Sequence, residues 1–291
     1  MRLDIFLARA AFISRSKAQQ LISSDLVTVD GKHVGKNYIL QEGEIVSWKI
    51  PPPESQEMLP EKIPLNIVFE DNHIIVVDKP AGLVMYPAPG HERGTLLNAL
   101  IFRYPEISSI GGRGRCGVFH RLDKGTSGLV AIARSELSYK RMVEKVSKRE
   151  VKRKYIALVT GEIPVEEGII DAPIARNPAN RKKMAVRAEG KKAISRFKVL
   201  RRFKNFTLVE VSLETGRTHQ IRVHFSYIGH PVAGDLEYSR GRSSRALGLE
   251  RQFLHAAFLS FEHPVSGENL EFTSDLPEDL KKTLQILSKL P

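Results

Sequence analysis

Hydrophobic residues recur at helical spacing at the start of the chain. Four of them are three or four positions apart, as on one face of an α-helix: Leu3, Phe6, Leu7 and Ala10. A second helical pattern runs from Ser14 to Ile22. The segment VTVDGKHV then alternates apolar and polar residues around Asp30-Gly31, a pair typical of a tight β-hairpin. Residues 1–50 therefore predict a small unit of two helices and short strands.

Proline content changes directly after this unit. Five prolines fall between Ile50 and Pro64, where no hydrophobic period is present. Proline favours extended backbone, so residues 51–62 predict a linker between two domains.

The remaining residues, 63–291, contain strand-like apolar runs separated by glycine and proline. These runs are IIVVDKP, GLVAIA, YIALVTG, FTLVEVSLETG and FLHAAFLSFEHP. Helical patterns lie between them, for example GTLLNALIFRY and SYKRMVEKVSKR. Strands and helices do not alternate regularly as in a doubly wound sheet, so the pattern favours an α+β fold with both element types mixed.

Positive charge is concentrated in two segments. The net charge of the 291-residue chain is +12, whereas Lys140–Lys154 carries +6 and Arg176–Lys204 carries +11, which leaves −5 for all other residues. A single charged run is usually a solvated face. Two runs that exceed the total net charge favour a surface that follows the phosphates of a nucleic acid.

The single cysteine, Cys116, excludes an intrachain disulfide and a multi-cysteine zinc site, and it fits a reducing compartment. Uninterrupted apolar runs are too short to span a bilayer. Asp4 and Arg9 interrupt the N-terminal apolar stretch, which argues against a signal peptide. We expect a cytoplasmic protein without membrane contact.

Three familiar site patterns are not supported by their context. Residues 112–117, GRGRCG, fit G-x-G-x-x-G, but neither a buried strand precedes them nor a helix follows, so an arginine-bearing loop is predicted. His219 and His224 are five positions apart, which puts them roughly 140° apart around a helix and disfavours a shared metal. No serine lies in a nucleophile elbow. We expect no metal site.

Three segments each attach a polar residue to an apolar element that does not need it for packing. Asp123 lies in HRLDKGTSGLVAIA just before a strand, Tyr155 begins a strand in KRKYIALVTG, and Arg222 lies on the helix expected after Gly216. Polar groups that rigid elements bring to one place can form an active site. Each residue also has a structural alternative: a turn aspartate, a tyrosine at the edge of the core and a surface arginine.

Together, these segments resemble the RluA/RluD family of pseudouridine synthases, whose sequences show H-R-L-D-x-x-T-S-G, [RK]-x-Y and T-G-R-T-H-Q-I-R-V-H motifs in this order. VDKPAGLVMYPAPG, residues 77–90, matches a further family segment, except that Tyr86 stands where the family often has histidine. The resemblance implies a largely antiparallel mixed sheet with a central cleft. It also implies that the enzyme isomerises uridine in RNA to pseudouridine without a cofactor.

The resemblance assigns roles to the residues that match the motifs. Asp123 is the essential carboxylate, acting at the anomeric carbon, on the uracil ring or through a glycal route; the sequence leaves these three open. Arg222 keeps this carboxylate ionised, and Tyr155 stacks on the flipped uracil and can exchange a proton. Arg121 matches the family residue that fills the space vacated in the RNA helix.

The first fifty residues resemble the small alpha-L RNA-binding domain first known from a ribosomal protein, through RLDIFLA, SRSKAQQLI and VTVDGK. Arg15 and Lys17, at the start of its second helix, are the expected phosphate contacts; an ordinary exposed helix start is the alternative. Because this domain accompanies the ribosomal branch of the family, large-subunit ribosomal RNA is the expected substrate, with transfer RNA second. No protein partner is implied. A non-catalytic RNA-binding or ribosome-assembly protein is the alternative function.

Overall fold

The structure of the chain is a computed structural model that describes residues 1–50, 58–87, 92–112, 114–181, 183–239 and 247–289. The chain divides into two compact units, Met1–Glu57 and Met58–Pro291. Residues 51–57, the larger part of the predicted linker, lie outside the described residues, as does Arg113 of the arginine-bearing loop. Within the described residues, no helix is both long enough and apolar enough to cross a membrane.

The N-terminal unit has the two helices and short strands predicted from its pattern. Its elements are α1 (Leu3–Ala10), α2 (Arg15–Ser23), β1 (Val27–Val29) and β2 (Val46–Trp48). Ser14 caps α2, because its hydroxyl accepts a hydrogen bond from the backbone N–H of Lys17. The helical apolar faces and β1 enclose one small core: Leu3, Leu7, Ala18, Leu21, Ile22, Val27 and Val29.

The predicted hairpin is correct for its turn but not for its strand pairing. Asp30 and Gly31 both have positive φ, as this tight turn requires, and Val29 and Lys32 form a single bridge after it. The strand partner of β1 is instead β2, some fifteen residues later, in antiparallel register. Asp30 directs this pairing, since its backbone N–H and its carboxylate both bond the backbone of Ile45.

The second unit contains the helices α3 (Leu96–Arg103), α4 (Glu136–Ser147), α5 (Gln220–Tyr227) and α6 (Glu278–Lys289). Its strands are β3 (Asn66–Glu70), β4 (Ile74–Lys79), β5 (Ser127–Ala133), β6 (Lys152–Thr160), β7 (Glu167–Asp171), β8 (Ile174–Arg176), β9 (Met184–Val186), β10 (Ile194–Phe203), β11 (Phe206–Leu213), β12 (Leu254–Glu262) and β13 (Asn269–Thr273).

One mixed sheet organises this unit, in the order β3-β4-β5-β12-β6-β11-β10-β7, with β13 paired to β12. All of these neighbours are antiparallel except β5 and β12. Strands β8 and β9 form a separate antiparallel pair. The α+β class and the largely antiparallel mixed sheet expected from the sequence are therefore confirmed.

The centre of the sheet is covered on both faces. Every residue of β5 is buried. Alternate residues of β4 and β5 enter two different clusters, as the two-residue period of a strand requires. One cluster joins them to α3: Ile75, Val77, Val130 and Ile132 with Leu96, Leu97, Leu100 and Ile101. The other joins them to α4: Ile74, Val76, Leu129 and Ala131 with Met142. Burial on both faces explains why these strands are continuous apolar runs in the sequence.

The parallel contact between β5 and β12 depends on Gly128. Its φ is +108°, and a Cβ atom at this position would lie 2.3 Å from the backbone oxygen of Ala256. Any larger residue would push the two strands apart. This contact fixes the start of β5, and with it the loop that precedes the strand.

Residues 58–62 pack against the rest of the second unit. Met58 contacts the main core cluster, and the buried side-chain amide of Asn98 donates to the backbone oxygen of Leu59 at 2.7 Å. The carboxylate of Glu61 accepts from the backbone N–H of Gly94. Residues 58–62, predicted as linker from their prolines, are thus held by the unit that follows them, because the Asn98 amide needs an acceptor inside the core.

Candidate active site

The loop before β5 carries Asp123. Leu122 is buried and anchors the loop, and a turn bond from the N–H of Thr126 to the backbone oxygen of Asp123 orients it. The Asp123 side chain is 15% exposed. The adjoining elements therefore present its carboxylate at a nearly buried position that solvent and substrate can reach.

Arg222, on α5, binds this carboxylate. Its Nη1 donates to Asp123 Oδ2 at 3.1 Å. The same guanidinium forms a two-point contact with the buried carboxylate of Asp235, at 2.6 and 3.0 Å, and donates to Glu237 at 2.6 Å. Burial disfavours its charge, but the bonds that it donates to Asp235 and the three negative charges outweigh burial and raise the pKa of Arg222 further. The cation is therefore fixed in place and permanently charged.

Tyr155, on β6, completes the predicted trio. It is 5% exposed, pairs in register with Ala256 and Val211 on the neighbouring strands, and lines the same cavity as Asp123 and Arg222. Burial raises the pKa of its hydroxyl. The loop before β5, strand β6 and helix α5 thus bring these three residues together, although the first and the last are 99 positions apart in the chain.

The cavity at this trio has a volume of about 620 Å³, within the usual range of ~300–1,000 Å³ for small-ligand sites. Seven cationic residues occur in its described lining: Arg115, Arg121, Arg149, Arg153, Lys192, Arg217 and Arg222. The described lining includes two carboxylates, Asp123 and Glu214. This excess of positive charge suits an anionic ligand.

His219 is a site residue that sequence reasoning missed. It precedes α5 with a φ of +56°, and its Nε2 lies 4.0 Å from Asp123 Oδ2. Its Nδ1 hydrogen-bonds the hydroxyl of Tyr238 at 2.9 Å. Burial lowers the pKa of His219 despite the nearby Asp123. The sequence contains a signal for it, since His219 is part of the T-H-Q-I-R motif, whereas its spacing from His224 bears only on a shared metal.

His224 is structural rather than part of this site. It is fully buried, and its two ring nitrogens bond the Ser195 hydroxyl and the backbone oxygen of Ala172, both at 2.9 Å. It does not share a ligand position with His219. Among the described residues, no group of histidine, cysteine, aspartate or glutamate side chains could hold a metal ion.

The residues expected to touch RNA lie in different places. Arg121 is exposed at the cavity, with its guanidinium 5.9 Å from the ring centre of Tyr86. Arg15 and Lys17 belong to the N-terminal unit. Arg15 Nε donates to the fully buried carboxylate of Asp4 at 3.0 Å, while the side chain stays half exposed.

Asp4 organises this part of the N-terminal unit. Besides Arg15, it accepts hydrogen bonds from Arg2 and Gln19. Burial alone would favour its neutral form, but these bonds hold the pKa of Asp4 well below its usual range. Lys17 contacts Gln20 instead, at 3.2 Å.

The sequence that forms this site matches a known protein family. Residues 73–227 match the family described as RNA pseudouridylate synthase, which is more than half of the chain. The chain belongs to the RNA pseudouridylate synthase family. Residues 1–46 match the S4 domain, so this synthase also carries the small RNA-binding domain expected from its first fifty residues. It is an RNA-modifying isomerase whose partner is RNA.

Whole-length relatives agree with this assignment. The synthase is 44% identical to an uncharacterized RNA pseudouridine synthase of Bacillus subtilis (strain 168), over 99% of this chain and 94% of that protein. It is 43% identical to the ribosomal large subunit pseudouridine synthase D of Pseudomonas aeruginosa, over 94% and 88%. The structure of human RNA pseudouridylate synthase domain containing 1 has 27% identity and a TM-score of 0.58, covering 82% of this chain and 98% of that one.

Lys79 supports the loop that carries Asp123, and the sequence motifs did not single it out. Although fully buried, its ammonium group donates to three backbone oxygens, those of Pro80, Leu83 and Lys124, at 2.8, 2.9 and 3.4 Å. Lys124 directly follows Asp123, so Lys79 ties the loop of the carboxylate to residues 80–83. Burial lowers the pKa of Lys79 to about 8.

Replacing Lys79 by methionine is expected to lower the free energy of unfolding by about 1–3 kcal/mol, because three buried acceptors lose their donor. The low pKa of Lys79 also makes the free energy of unfolding of the wild-type protein depend on pH. Between about pH 8 and 10 the unfolded chain binds the lysine proton and the folded protein does not, so wild type gains stability as pH rises. Urea unfolding at several pH values measures both effects; a pH gain retained in Lys79→Met would contradict this reasoning.

Proposed function

We propose that this synthase converts specific uridines of large-subunit ribosomal RNA to pseudouridine, with Asp123 as its essential carboxylate. The contact that carries the proposal is the 3.1 Å bond between Asp123 and the buried Arg222 inside a cation-lined cavity. Pure RNA binding needs no such carboxylate. The S4 domain and relatives named ribosomal large subunit pseudouridine synthase D support ribosomal RNA over transfer RNA.

The reaction exchanges one bond to the ribose for another. The bond from the anomeric carbon to N1 of uracil breaks, the base rotates, and a bond from the same carbon to C5 forms. The proton on C5 is removed and N1 acquires one, so the composition of the RNA is unchanged. No redox step is involved, and the proposal requires no cofactor.

Asp123 acts on the ribose–base unit in this scheme. Arg222 holds it in place through the 3.1 Å bond and puts a fixed positive charge beside it. The Asp123 carboxylate can attack the anomeric carbon or the uracil ring, or assist departure of the base through a glycal. All three routes need this residue in this position.

The cavity receives one nucleotide after it leaves the RNA helix. Flipping a base costs a few kcal/mol, which contacts with the pocket and the phosphates must offset. Arg121 is the proposed occupant of the vacated space, since it is exposed at the cavity mouth and stands next to Leu122 of the buried anchor. Arg15 and Lys17 are proposed to hold RNA phosphates on the S4 domain.

Tyr155 is proposed to stack on the flipped uracil and to pass on the C5 proton. Because burial raises its pKa, its hydroxyl is protonated in the empty site at neutral pH. Tyr155→Phe keeps the ring and removes only the hydroxyl. We expect turnover to fall about 10²–10⁴-fold while RNA affinity changes little. Single-turnover kinetics checks this; normal turnover would restrict Tyr155 to stacking.

Mapping pseudouridines tests the substrate. RNA from cells with and without this protein is compared, and purified enzyme is then added to unmodified transcripts of large-subunit ribosomal RNA and of transfer RNA. We expect sites to disappear from large-subunit RNA and to be restored by the enzyme. Loss confined to transfer RNA would overturn the ribosomal assignment, and no loss in any RNA would favour a binding protein. We propose that this occurs in the cytoplasm, where ribosomal RNA is processed in bacteria such as those of the relatives.

A further inference from the structure

One buried arginine of the cavity lining has no acceptor among the described residues. Arg153, on β6, is only 8% exposed, yet among the described residues it makes neither an ion pair nor a hydrogen bond. Its Nε is completely buried without a partner. Burying a cation without a counter-charge costs free energy, so this position is unfavourable in the empty protein.

The two carboxylates of the described lining, Asp123 and Glu214, already bind other arginines. Arg149 binds Glu214 at 2.8 Å, and Arg222 binds Asp123. Arg217 donates to the backbone oxygen of Lys192. Both carboxylates of this lining are therefore taken by other arginines, and neither neutralises Arg153.

The surroundings of Arg153 are shaped for its guanidinium. A Cβ atom on Gly216 would lie 3.0 Å from Arg153 Nη1, so glycine leaves the room that this group occupies. His120, in the same lining, is neutral, because burial and then the charge of Arg153 lower its pKa to about 3. Its Nε2 accepts from the N–H of Ala131, and its Nδ1 has no partner among the described residues. Arg153 thus meets a neutral neighbour, and the part of the chain that the structure describes offers it no anion.

Arg153 also stands at a useful distance from the reacting base. It is two residues before Tyr155 on β6, so both side chains point to the same face of the sheet and their Cα atoms are about 7 Å apart. A nucleotide whose base stacks on Tyr155 carries its phosphates a similar distance away, so Arg153 is within reach of one of them.

We propose that Arg153 binds one backbone phosphate of the RNA inside the cavity, next to the nucleotide that reacts at Asp123. This inference rests on the proposed function for its ligand. RNA supplies the missing anion at every linkage, and the planar guanidinium can donate two parallel bonds to a phosphate. An uncharged uracil oxygen would leave the positive charge of Arg153 uncompensated.

The first test measures binding of an RNA hairpin that contains the mapped uridine, at several salt concentrations. Arg153→Gln is expected to weaken binding about tenfold or more and to reduce the log–log salt slope by about 0.7–1. Arg153→Lys should restore most of the slope, because it restores the charge. Arg103→Gln is the matched control and should leave the slope unchanged, since Arg103 is paired with Glu70 and does not line the cavity. A wild-type slope in Arg153→Gln would overturn the proposal.

The second test identifies the ligand group. Methylphosphonate, which lacks the phosphate charge, replaces one linkage at a time beside the target uridine. One linkage is expected to weaken wild-type binding about tenfold while hardly affecting Arg153→Gln. Equal losses in both proteins at every linkage would mean that Arg153 contacts the base or only packs, and would overturn phosphate binding.

Two further readouts separate this inference from folding and from the proposed substrate. Without RNA, Arg153→Gln is expected to melt at or above the wild-type temperature, because an unpaired buried charge has been removed; a lower melting temperature would indicate a structural role instead. If mapping places the uridine in transfer RNA, the ribosomal proposal fails, and the hairpin is then made from that RNA. The Arg153 comparison keeps its meaning in either case.

Discussion

Asp123→Asn is expected to abolish pseudouridine formation while leaving RNA binding nearly intact. Asparagine occupies almost the same volume and can still accept a bond from Arg222, so the cavity should keep its shape. It has no negative charge, and it is a far weaker nucleophile than a carboxylate. We expect single-turnover rates to fall by at least about 10⁴-fold, as for loss of other covalent nucleophiles. Equilibrium binding and pseudouridine release from labelled RNA measure the two properties separately.

Glu214→Gln is the control for this experiment. Glu214 is the other carboxylate in the described lining of the cavity, and it binds Arg149 and Arg196 at the surface rather than Arg222. Its neutralisation should change turnover only a few-fold, since surface ion pairs contribute ~0–1 kcal/mol. Residual activity of Asp123→Asn close to that of Glu214→Gln would remove Asp123 from the essential role.

Arg222→Gln is expected to be the most destabilising single substitution in the site. It leaves Asp123, the fully buried Asp235 and Glu237 without the cation they share. Removing one partner of a buried ion pair typically costs ~3–5 kcal/mol of unfolding free energy. Turnover should fall as well, because Asp123 loses the hydrogen bond that orients its carboxylate. Urea unfolding and single-turnover kinetics measure these losses.

A lysine at position 222 identifies the cause of these losses. Arg222→Lys keeps the positive charge that the three carboxylates face but not the planar fork that binds Asp235 at two points. It should therefore lie between wild type and Arg222→Gln in both stability and turnover. Equal losses in the two variants would show that the site requires the fork rather than the charge.

Local patterns in the sequence located the elements correctly where the signal is short-range. The GTLLNALIFRY and SYKRMVEKVSKR patterns coincide with α3 and α4. The continuous apolar runs IIVVDKP and GLVAIA coincide with β4 and β5, the strands buried on both faces. Periodicity and capping depend on neighbouring residues, which is why a single sequence suffices for them.

Local sequence patterns did not identify the residues that hold Arg222 and the Asp123 loop in place. Asp235 and Glu237 follow Arg222 by 13 and 15 residues in an irregular segment after α5, yet they hold its guanidinium. Lys79 reaches the Asp123 loop from a strand 45 residues earlier than its acceptor Lys124. Likewise, the sequence predicted a local partner for β1, whereas the fold pairs it with β2. These contacts depend on which distant segments meet, and local propensity contains no such information.

By itself, the sequence determined the α+β class and the positive charge available for RNA, because periodicity and charge are properties of residue type and spacing. Its resemblance to the pseudouridine synthases then singled out Asp123, Tyr155 and Arg222 as candidate site residues. Only the tertiary structure decided their environment. It placed them in one cavity, gave Arg222 its carboxylates, and left Arg153 buried without one. Whether a charge is compensated depends on the distances between side chains from separate elements, and those distances exist only after the sheet has formed.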